Sequence, residues 1–164
     1  MKKETYIKMT EFWRNRKRLL SILEFLYSFL PLLIFALYVT LLLYKFFVGI
    51  NTDFLLSALV PLCTLTASVL LRKLINRERP YEKFSTPPAI EKDKKGKSLP
   101  SNHSASAFVI AQVSFNVNIY LWVFLMAVAV IIALTRFLSG VHFISDVLAG
   151  SFIGILAGLV FIFI

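Results

Sequence analysis

The sequence predicts an all-α integral membrane protein, a bundle of five to six transmembrane helices with an N-terminal amphipathic helix. Of its 164 residues, 58% are hydrophobic and only 16% are charged, and the mean hydropathy is +0.76. Soluble domains carry about 25% charged residues, so this composition excludes a soluble enzyme, a disordered tail and a typical nucleic-acid binder. Since one span needs about 20 apolar residues, the chain has room for about five spans and for no soluble domain.

The N-terminal segment, residues 1–30, is basic and then amphipathic. Seven of the 18 basic residues lie in its first 18 positions, and from Leu19 apolar residues recur at helical spacing. We therefore expect an interfacial helix over residues 8–29, with its basic side toward lipid headgroups. A first span that begins at Leu19 is the alternative. The apolar run is long and lacks a small-x-small site, so we expect no cleaved signal peptide.

The transmembrane core is predicted over residues 31–164. Pro31 begins a helix that runs to about Val48, and Pro61 is a tolerated kink in the next span. A short helix of about 20 Å follows a long loop, so its start is expected in a recess below the headgroups. Glycines at every fourth position of the last helix favour close helix packing. The spans after the first turn are residues 54–71, 104–117, 120–138 and 143–164.

The loop over residues 72–102 is the polar exception within the core. It contains nine basic residues and four prolines, and connections of this length are usually functional or disordered. Together with the net charge of +9, this loop indicates an anionic neighbour or substrate. The lysine run at positions 92, 94, 95 and 97 is expected to be a solvated loop face, with recruitment of anionic headgroups as the alternative. A single cysteine, Cys63, excludes an internal disulfide and a cysteine-based metal cluster.

The membrane orientation has two readings. Five spans place the basic N-terminus and the basic loop on the same side, which the positive-inside rule assigns to the cytoplasm. An additional crossing through residues 12–30 would place the loop on the outer face. In both cases a multi-pass protein of the cell membrane is expected.

The two histidines lie where polar turns meet apolar helices. His142 is followed at i+4 by Asp146, a spacing that lets the carboxylate orient the ring and makes the histidine a nucleophile or a base. Arg136 precedes this pair across a Ser-Gly turn. Ser101 is a candidate N-cap for the short helix that carries His103, and the amides at that helix start would face an anion. Guanidinium groups, helix-start amides and histidines together favour phosphoryl transfer without a metal. Besides Arg136, the arginines that we expect to contribute guanidinium groups to this chemistry are Arg72 and Arg79.

Three motifs resemble the signatures of the type-2 phosphatidic acid phosphatase superfamily. They are Arg72 with Arg79-Pro80, then Pro100-Ser101-Asn102-His103, then Thr135-Arg136 with His142 and Asp146. The family has Lys where Arg72 stands, and Lys73 is adjacent; Asn102 replaces a glycine and Thr135 a serine. Neither histidine is lost, so the resemblance implies an active enzyme.

The resemblance also implies a role for each matched residue. His142 would attack phosphorus, oriented by Asp146, and His103 would protonate the leaving oxygen and then activate water. No metal and no cofactor is implied. The phosphoryl oxygens would be held by Arg72 or Lys73, and by Arg79, Ser101, Asn102 and Arg136.

The leading hypothesis is therefore a metal-independent membrane lipid phosphatase with a phosphohistidine intermediate. Its partners would be a phosphorylated lipid and membrane lipids, with no nucleic acid. The resemblance allows a cell-wall lipid such as undecaprenyl diphosphate, phosphatidic acid or phosphatidylglycerol phosphate. Alternatives are a transporter or proton relay that uses His142 and Asp146, and an inactive interaction protein, which the two histidines disfavour.

Overall fold

The structure, a computed structural model, describes residues 1–163, and over these residues it contains only helices, turns and loops. A 3₁₀ turn, Leu159–Ile162, ends this part of the chain. The helices in chain order are α1 (Lys3–Arg14), α2 (Lys17–Val48), α3 (Thr52–Ile75), α4 (Pro80–Phe84), α5 (Asn102–Val113), α6 (Ile119–Leu138) and α7 (Ile144–Gly158).

The predicted fold class, an all-α membrane bundle, is confirmed. Among residues 1–163, four helices are long and apolar enough to cross a membrane: α2, α3 with its continuation, α6, and α7 with its 3₁₀ turn. Only 22% of the apolar stretch of α2 is buried within the protein, so most of that helix presents residues such as Phe35 and Phe47 to lipid. The fifth helix of the bundle, α5, has 12 residues and is largely buried.

The short helix α5 occupies the centre of the bundle, where it packs on α3, α6 and α7. Its contact with α7 depends on the predicted glycines. A Cβ atom at Gly150 would lie 2.4 Å from the Ser101 carbonyl oxygen, and one at Gly154 would lie 2.4 Å from the Ala105 carbonyl oxygen. Since real Cβ atoms do not approach backbone this closely, glycine is what allows the two helices to touch along this line.

The predicted helix boundaries near the N-terminus are wrong. No interfacial helix spans residues 8–29 and no helix begins at Pro31; the chain breaks at Arg16, and α2 runs without interruption from Lys17 to Val48. The observed start lies close to the alternative, a span that begins at Leu19. Residues 17–30 are part of α2, a single helix that is long and apolar enough to cross a membrane. The described residues therefore contain no separate helix over residues 12–30.

Both prolines inside long helices are accommodated in the same way. A proline leaves the carbonyl four residues earlier without its helical donor. For Pro31 this is the Tyr27 carbonyl, which accepts a 2.8 Å hydrogen bond from Arg136. For Pro61 it is the Ser57 carbonyl, which accepts a 3.0 Å hydrogen bond from the Tyr38 hydroxyl. Neighbouring helices therefore supply the donors that the prolines remove.

Helix α1 lies at the same end of the bundle as the long loop, on the turn between α6 and α7. The Tyr6 hydroxyl donates a 3.1 Å hydrogen bond to the Gly140 carbonyl. Gly140 has a φ of +76°, which suits glycine, and a Cβ there would lie 3.0 Å from Tyr6 and Thr10 atoms. The N-terminal helix thus braces the turn that leads directly to His142.

Candidate active site

The predicted pair of His142 and Asp146 is present at the start of α7. His142 Nδ1 lies 3.6 Å from Asp146 Oδ2, and both side chains are buried. The Phe143 backbone N–H donates a 3.0 Å hydrogen bond to the same carboxylate oxygen, which holds the carboxylate at the first turn of the helix. Because Nδ1 faces this carboxylate, Nε2 is the ring nitrogen left for chemistry.

Two side chains that the sequence did not single out complete this pair. Arg77 donates hydrogen bonds to Asp146 Oδ1 at 2.7 Å and to the Ser145 hydroxyl at 2.8 Å. Ser98 Oγ donates to Asp146 Oδ2 and lies 3.4 Å from His142 Nδ1. Both come from the long loop, in which Arg77 is one of nine basic residues. In the sequence, the one indication of a role for Ser98 was its position two residues before the Pro100-Ser101 motif.

The electrostatic surroundings of His142 favour its neutral form. Burial lowers the pKa of His142 below its ordinary range, the adjacent Asp146 carboxylate opposes that shift, and the charges of Arg79 and Arg72 lower the pKa further. A neutral imidazole has a free electron pair on Nε2 at physiological pH. The histidine is therefore prepared as a nucleophile or a base.

A cavity of about 360 Å³, here called the histidine cavity, is lined by both histidines. Five permanent cations line it as well, three arginines and two lysines, and no acidic residue is among its described lining residues. The structure thus brings together, from four separate regions of the chain, His142, His103, Arg72, Arg79 and Arg136, together with Lys92 and Lys94.

Arg136 reaches the cavity from the end of α6 and is held by α2. Its NH2 group donates to the Tyr27 carbonyl that Pro31 frees, and its guanidinium carbon lies 3.6 Å from the centre of the Tyr27 ring. The side chain is 2% exposed and its Nε has no hydrogen-bond partner in the described structure. A buried guanidinium with free N–H groups is suited to bind an anion. Tyr27 was not predicted; its place four residues before Pro31 was the available signal.

Arg72 and Arg79 are positioned by the backbone of the long loop. Arg72 Nε donates to the Lys97 carbonyl at 2.7 Å, and Arg79 Nε donates to the Gly96 carbonyl at 3.0 Å. Neither guanidinium forms an ion pair within residues 1–163. Their terminal N–H groups therefore remain available beside His142.

Three of the predicted phosphate-binding residues do not line the histidine cavity. Lys73 is exposed and lines a neighbouring cavity. Ser101 is fully buried, where its Oγ caps α5 by accepting from the Ser104 N–H, as predicted for an N-cap. The Asn102 side chain accepts a 2.8 Å hydrogen bond from Ser68 on α3, and Asn102 lines the two neighbouring cavities.

An apolar cavity of about 300 Å³ adjoins the histidine cavity and shares Pro31 and His103 with it. Its other walls come from α2, α3, α5 and α6 and include Phe35, Leu65 and Ile110. A molecule that combines an anionic group with an apolar chain would fit the two cavities together.

A family model described as the PAP2 superfamily matches residues 50–164, which is more than half of the chain. The chain belongs to the PAP2 superfamily. The predicted resemblance to the type-2 phosphatidic acid phosphatase superfamily is thereby confirmed. Together with the four apolar helices, membership of this family indicates a multi-pass membrane protein. No curated protein gives a significant match.

Two solved structures share the fold of this PAP2 protein. LpxE of Aquifex aeolicus is 22% identical, with a TM-score of 0.73, and the match covers 96% of this chain and 94% of that one. A PAP2-type phosphatidylglycerolphosphate phosphatase of Bacillus subtilis is 20% identical, with a TM-score of 0.67, covering 96% and 83%. At these identities the likeness establishes the fold.

The hydrogen-bond donors that line this PAP2 site are guanidinium and ammonium groups, which bind anions. Among residues 1–163 no group of three or more His, Cys, Asp and Glu side chains is placed to hold a metal ion. The charge that would stabilise a phosphoryl group comes from the guanidinium groups that line the histidine cavity.

Proposed function

We propose that this protein removes the terminal phosphate of a membrane lipid through a phosphohistidine intermediate, without a metal. The observation that carries the proposal is the histidine cavity, in which His142, His103 and three arginines face one space. Transfer of a phosphoryl group requires a nucleophile, a proton donor for the leaving oxygen and cations that stabilise the three equatorial oxygens. The cavity supplies the nucleophile and the cations directly. Burial, and after it the charge of Arg136, lowers the pKa of His103 to about 3 in the ligand-free site, so we expect His103 to gain its proton when an anionic phosphate binds beside it.

In the first step His142 Nε2 attacks phosphorus, and a P–N bond forms as the P–O bond to the lipid breaks. His103 gives its proton to the leaving oxygen, so the lipid departs as an alcohol or, from a diphosphate, as a monophosphate. In the second step water attacks phosphorus, the P–N bond breaks, and His103 takes a proton from the water. Orthophosphate leaves, and both histidines return to their starting states.

Other side chains around the two histidines stabilise the charges that develop in these steps. Asp146 stabilises the positive charge that develops on His142 during attack, and Arg77 and Ser98 hold the Asp146 carboxylate in place. Arg72, Arg79 and Arg136 would hold the phosphoryl oxygens, so Arg72 is favoured over the exposed Lys73 for the first motif. Lipid access is supported by the apolar cavity beside His103.

The substrates to be compared are undecaprenyl diphosphate, phosphatidic acid and phosphatidylglycerol phosphate, each presented to purified protein in detergent with EDTA. Wild-type protein should release phosphate from at least one of them, and chelation should not reduce the rate. Replacement of His142 or His103 by Ala should lower kcat by at least about a thousandfold. Ser151→Ala, on a more exposed face of α7, is the control and should keep wild-type activity.

The covalent step has its own test. Wild-type protein quenched in alkali after a brief reaction with ³²P-labelled substrate should carry an acid-labile label, and His142→Ala should carry none. Phosphate release that persists in both histidine variants would refute the assignment of the site. A rate that EDTA abolishes would refute the metal-free mechanism alone.

The structure offers no observation that favours a transporter or proton relay. His142 and Asp146 lie at one end of the bundle, at the beginning of α7, and the cations beside them, such as Arg77 and Arg79, belong to the long loop. A relay would need ionisable groups continuing toward the opposite membrane face.

A further inference from the structure

A second basic cavity adjoins the histidine cavity and has no role in the chemistry described above. Its volume is about 350 Å³. It shares three cations with the histidine cavity, and neither histidine lines it. We call it the lysine cavity; its six basic lining residues are Arg72, Lys73, Arg79, Lys94, Lys95 and Lys97.

The lysine cavity is shaped by the loop backbone. The hydrogen bonds from Arg72 Nε to the Lys97 carbonyl and from Arg79 Nε to the Gly96 carbonyl bring the loop over both guanidinium groups. The Glu82 carboxylate on this loop accepts hydrogen bonds from the backbone N–H groups of Arg79 and Gly96. It therefore orders the loop and does not line the cavity.

The charge of the lysine cavity is uncompensated. No acidic residue is among its described lining residues, and none of its six cations forms an ion pair within residues 1–163. The four lysines are exposed, whereas Arg79 is buried and Arg72 is half-buried. An anion bound at the two arginines would reduce the repulsion among these cations. The two arginines that separate the cavities can contact an anion on either side, because their Nε atoms alone are engaged by the loop.

The position of the lysine cavity suits the leaving side of the substrate. Asn102 lines both the lysine cavity and the apolar cavity, and it precedes His103, the residue placed to protonate the leaving oxygen. A lipid whose chain occupies the apolar cavity could therefore place a phosphate in the lysine cavity, beside Asn102.

From this geometry we infer that the lysine cavity is a binding site for a second phosphate group, which is bound there and not cleaved. The inference rests on the proposed phosphatase function and narrows its substrate class to lipids that carry two phosphates, as in a diphosphate. The same chemistry would also hold free orthophosphate after release, and the two sources differ in the measurements below.

The test compares farnesyl diphosphate with farnesyl monophosphate, which share one apolar chain, in zwitterionic detergent with EDTA. The variant is Lys95→Gln with Lys97→Gln, because these lysines line the lysine cavity and not the histidine cavity. The control is Lys8→Gln with Lys83→Gln, which removes the same charge from exposed positions outside the described cavities.

We expect kcat/KM for the diphosphate to fall at least about tenfold in the lysine-cavity variant, with a change below about twofold for the monophosphate and for the control. If orthophosphate is the occupant, both substrates keep their kcat/KM and only the inhibition constant of added phosphate rises. Equal losses for both substrates, no change in any constant, or the same change in the control would overturn the inference.

A binding measurement keeps the inference separate from turnover. In a His142→Ala background, calorimetry with methylenediphosphonate should give a dissociation constant that the Lys95→Gln, Lys97→Gln changes raise at least about tenfold. An unchanged dissociation constant would overturn the site even if the phosphatase is active. Wild-type protein that binds this probe through the lysines but releases phosphate from neither farnesyl substrate and from none of the three lipids named under the proposed function would refute the phosphatase function and leave the site standing.

Discussion

Replacement of Arg77 by Gln tests whether a residue outside the histidine cavity controls the nucleophile. Arg77 does not line that cavity, and its NH1 group donates a 2.7 Å hydrogen bond to the fully buried Asp146 carboxylate. Removal of this bond leaves Asp146 with the Ser98 hydroxyl, the Phe143 N–H and the His142 ring. The carboxylate would then be held less firmly against the imidazole that it orients.

The expected loss of kcat in Arg77→Gln depends on how far the Arg77–Asp146 ion pair is exposed to solvent. A hydrogen bond to a charged group is worth about 1.5–3 kcal/mol, and because Arg77 is 35% exposed water replaces part of the interaction, which favours the lower value. About 1.5 kcal/mol at the transition state corresponds to roughly a tenfold loss of kcat. KM should change little, since no substrate contact is lost.

The assay is phosphate release against substrate concentration over a series of pH values. Loss of the Arg77 cation favours protonated His142, so the acid limb of the kcat profile should move to higher pH in Arg77→Gln. Arg77→Lys should recover part of the rate, because it retains the charge but not both hydrogen bonds. A rise in KM at unchanged kcat would refute the reasoning, since it would place Arg77 on the substrate.

Three further predictions concern protonation, helix geometry and packing. Because burial and neighbouring arginines lower the pKa of His142 in the ligand-free site, the loss of kcat/KM that accompanies protonation of His142 should be centred below about 6.5, the ordinary histidine pKa. Pro31→Ala supplies an N–H that competes for the Tyr27 carbonyl, so Arg136 is held less well and KM should rise about three- to tenfold. Gly150→Ala places a Cβ 2.4 Å from the carbonyl oxygen of Ser101, the N-cap of α5, which should cost about 1–3 kcal/mol and lower Tm by about 2–4 °C per kcal/mol.

Each of these predictions has a matched control or a refuting result. Pro61→Ala also restores a helical donor, but the carbonyl concerned binds Tyr38, so KM should not change. Ser151→Ala lies on the same helix as Gly150 and should retain the wild-type Tm. A kcat/KM profile whose acid limb has its midpoint above the ordinary histidine pKa would show that burial does not dominate at His142.

Much of the site was readable from local spacing. The pairing of His142 with Asp146 follows from helical periodicity, since residues four apart lie on one face. Ser101 was recognisable as an N-cap because capping involves only the next few residues. The continuation of α2 through Pro31 could not be predicted in this way. A proline inside a helix needs a hydrogen-bond donor from another segment for the carbonyl that it leaves free, and here that donor is Arg136.

Arg77 shows the limit of such reasoning in the long loop. It is one of nine basic residues there, and no spacing distinguishes the arginine that pairs with Asp146 from the lysines that remain solvated. The distinction depends on the path of the loop, which is set by hydrogen bonds from Arg72 and Arg79 to its carbonyls. Those bonds join residues far apart in the chain.

The sequence alone determined the membrane class, the apolar helices and the family motifs, because hydropathy and helical spacing are properties of neighbouring residues. Only the tertiary structure decided which cations face the histidines, that Tyr27 and Pro31 hold Arg136, and that a second basic cavity adjoins the first. The physical reason is that hydrogen bonds between distant segments satisfy the polar groups that burial deprives of water, and their partners are set by packing across the whole bundle.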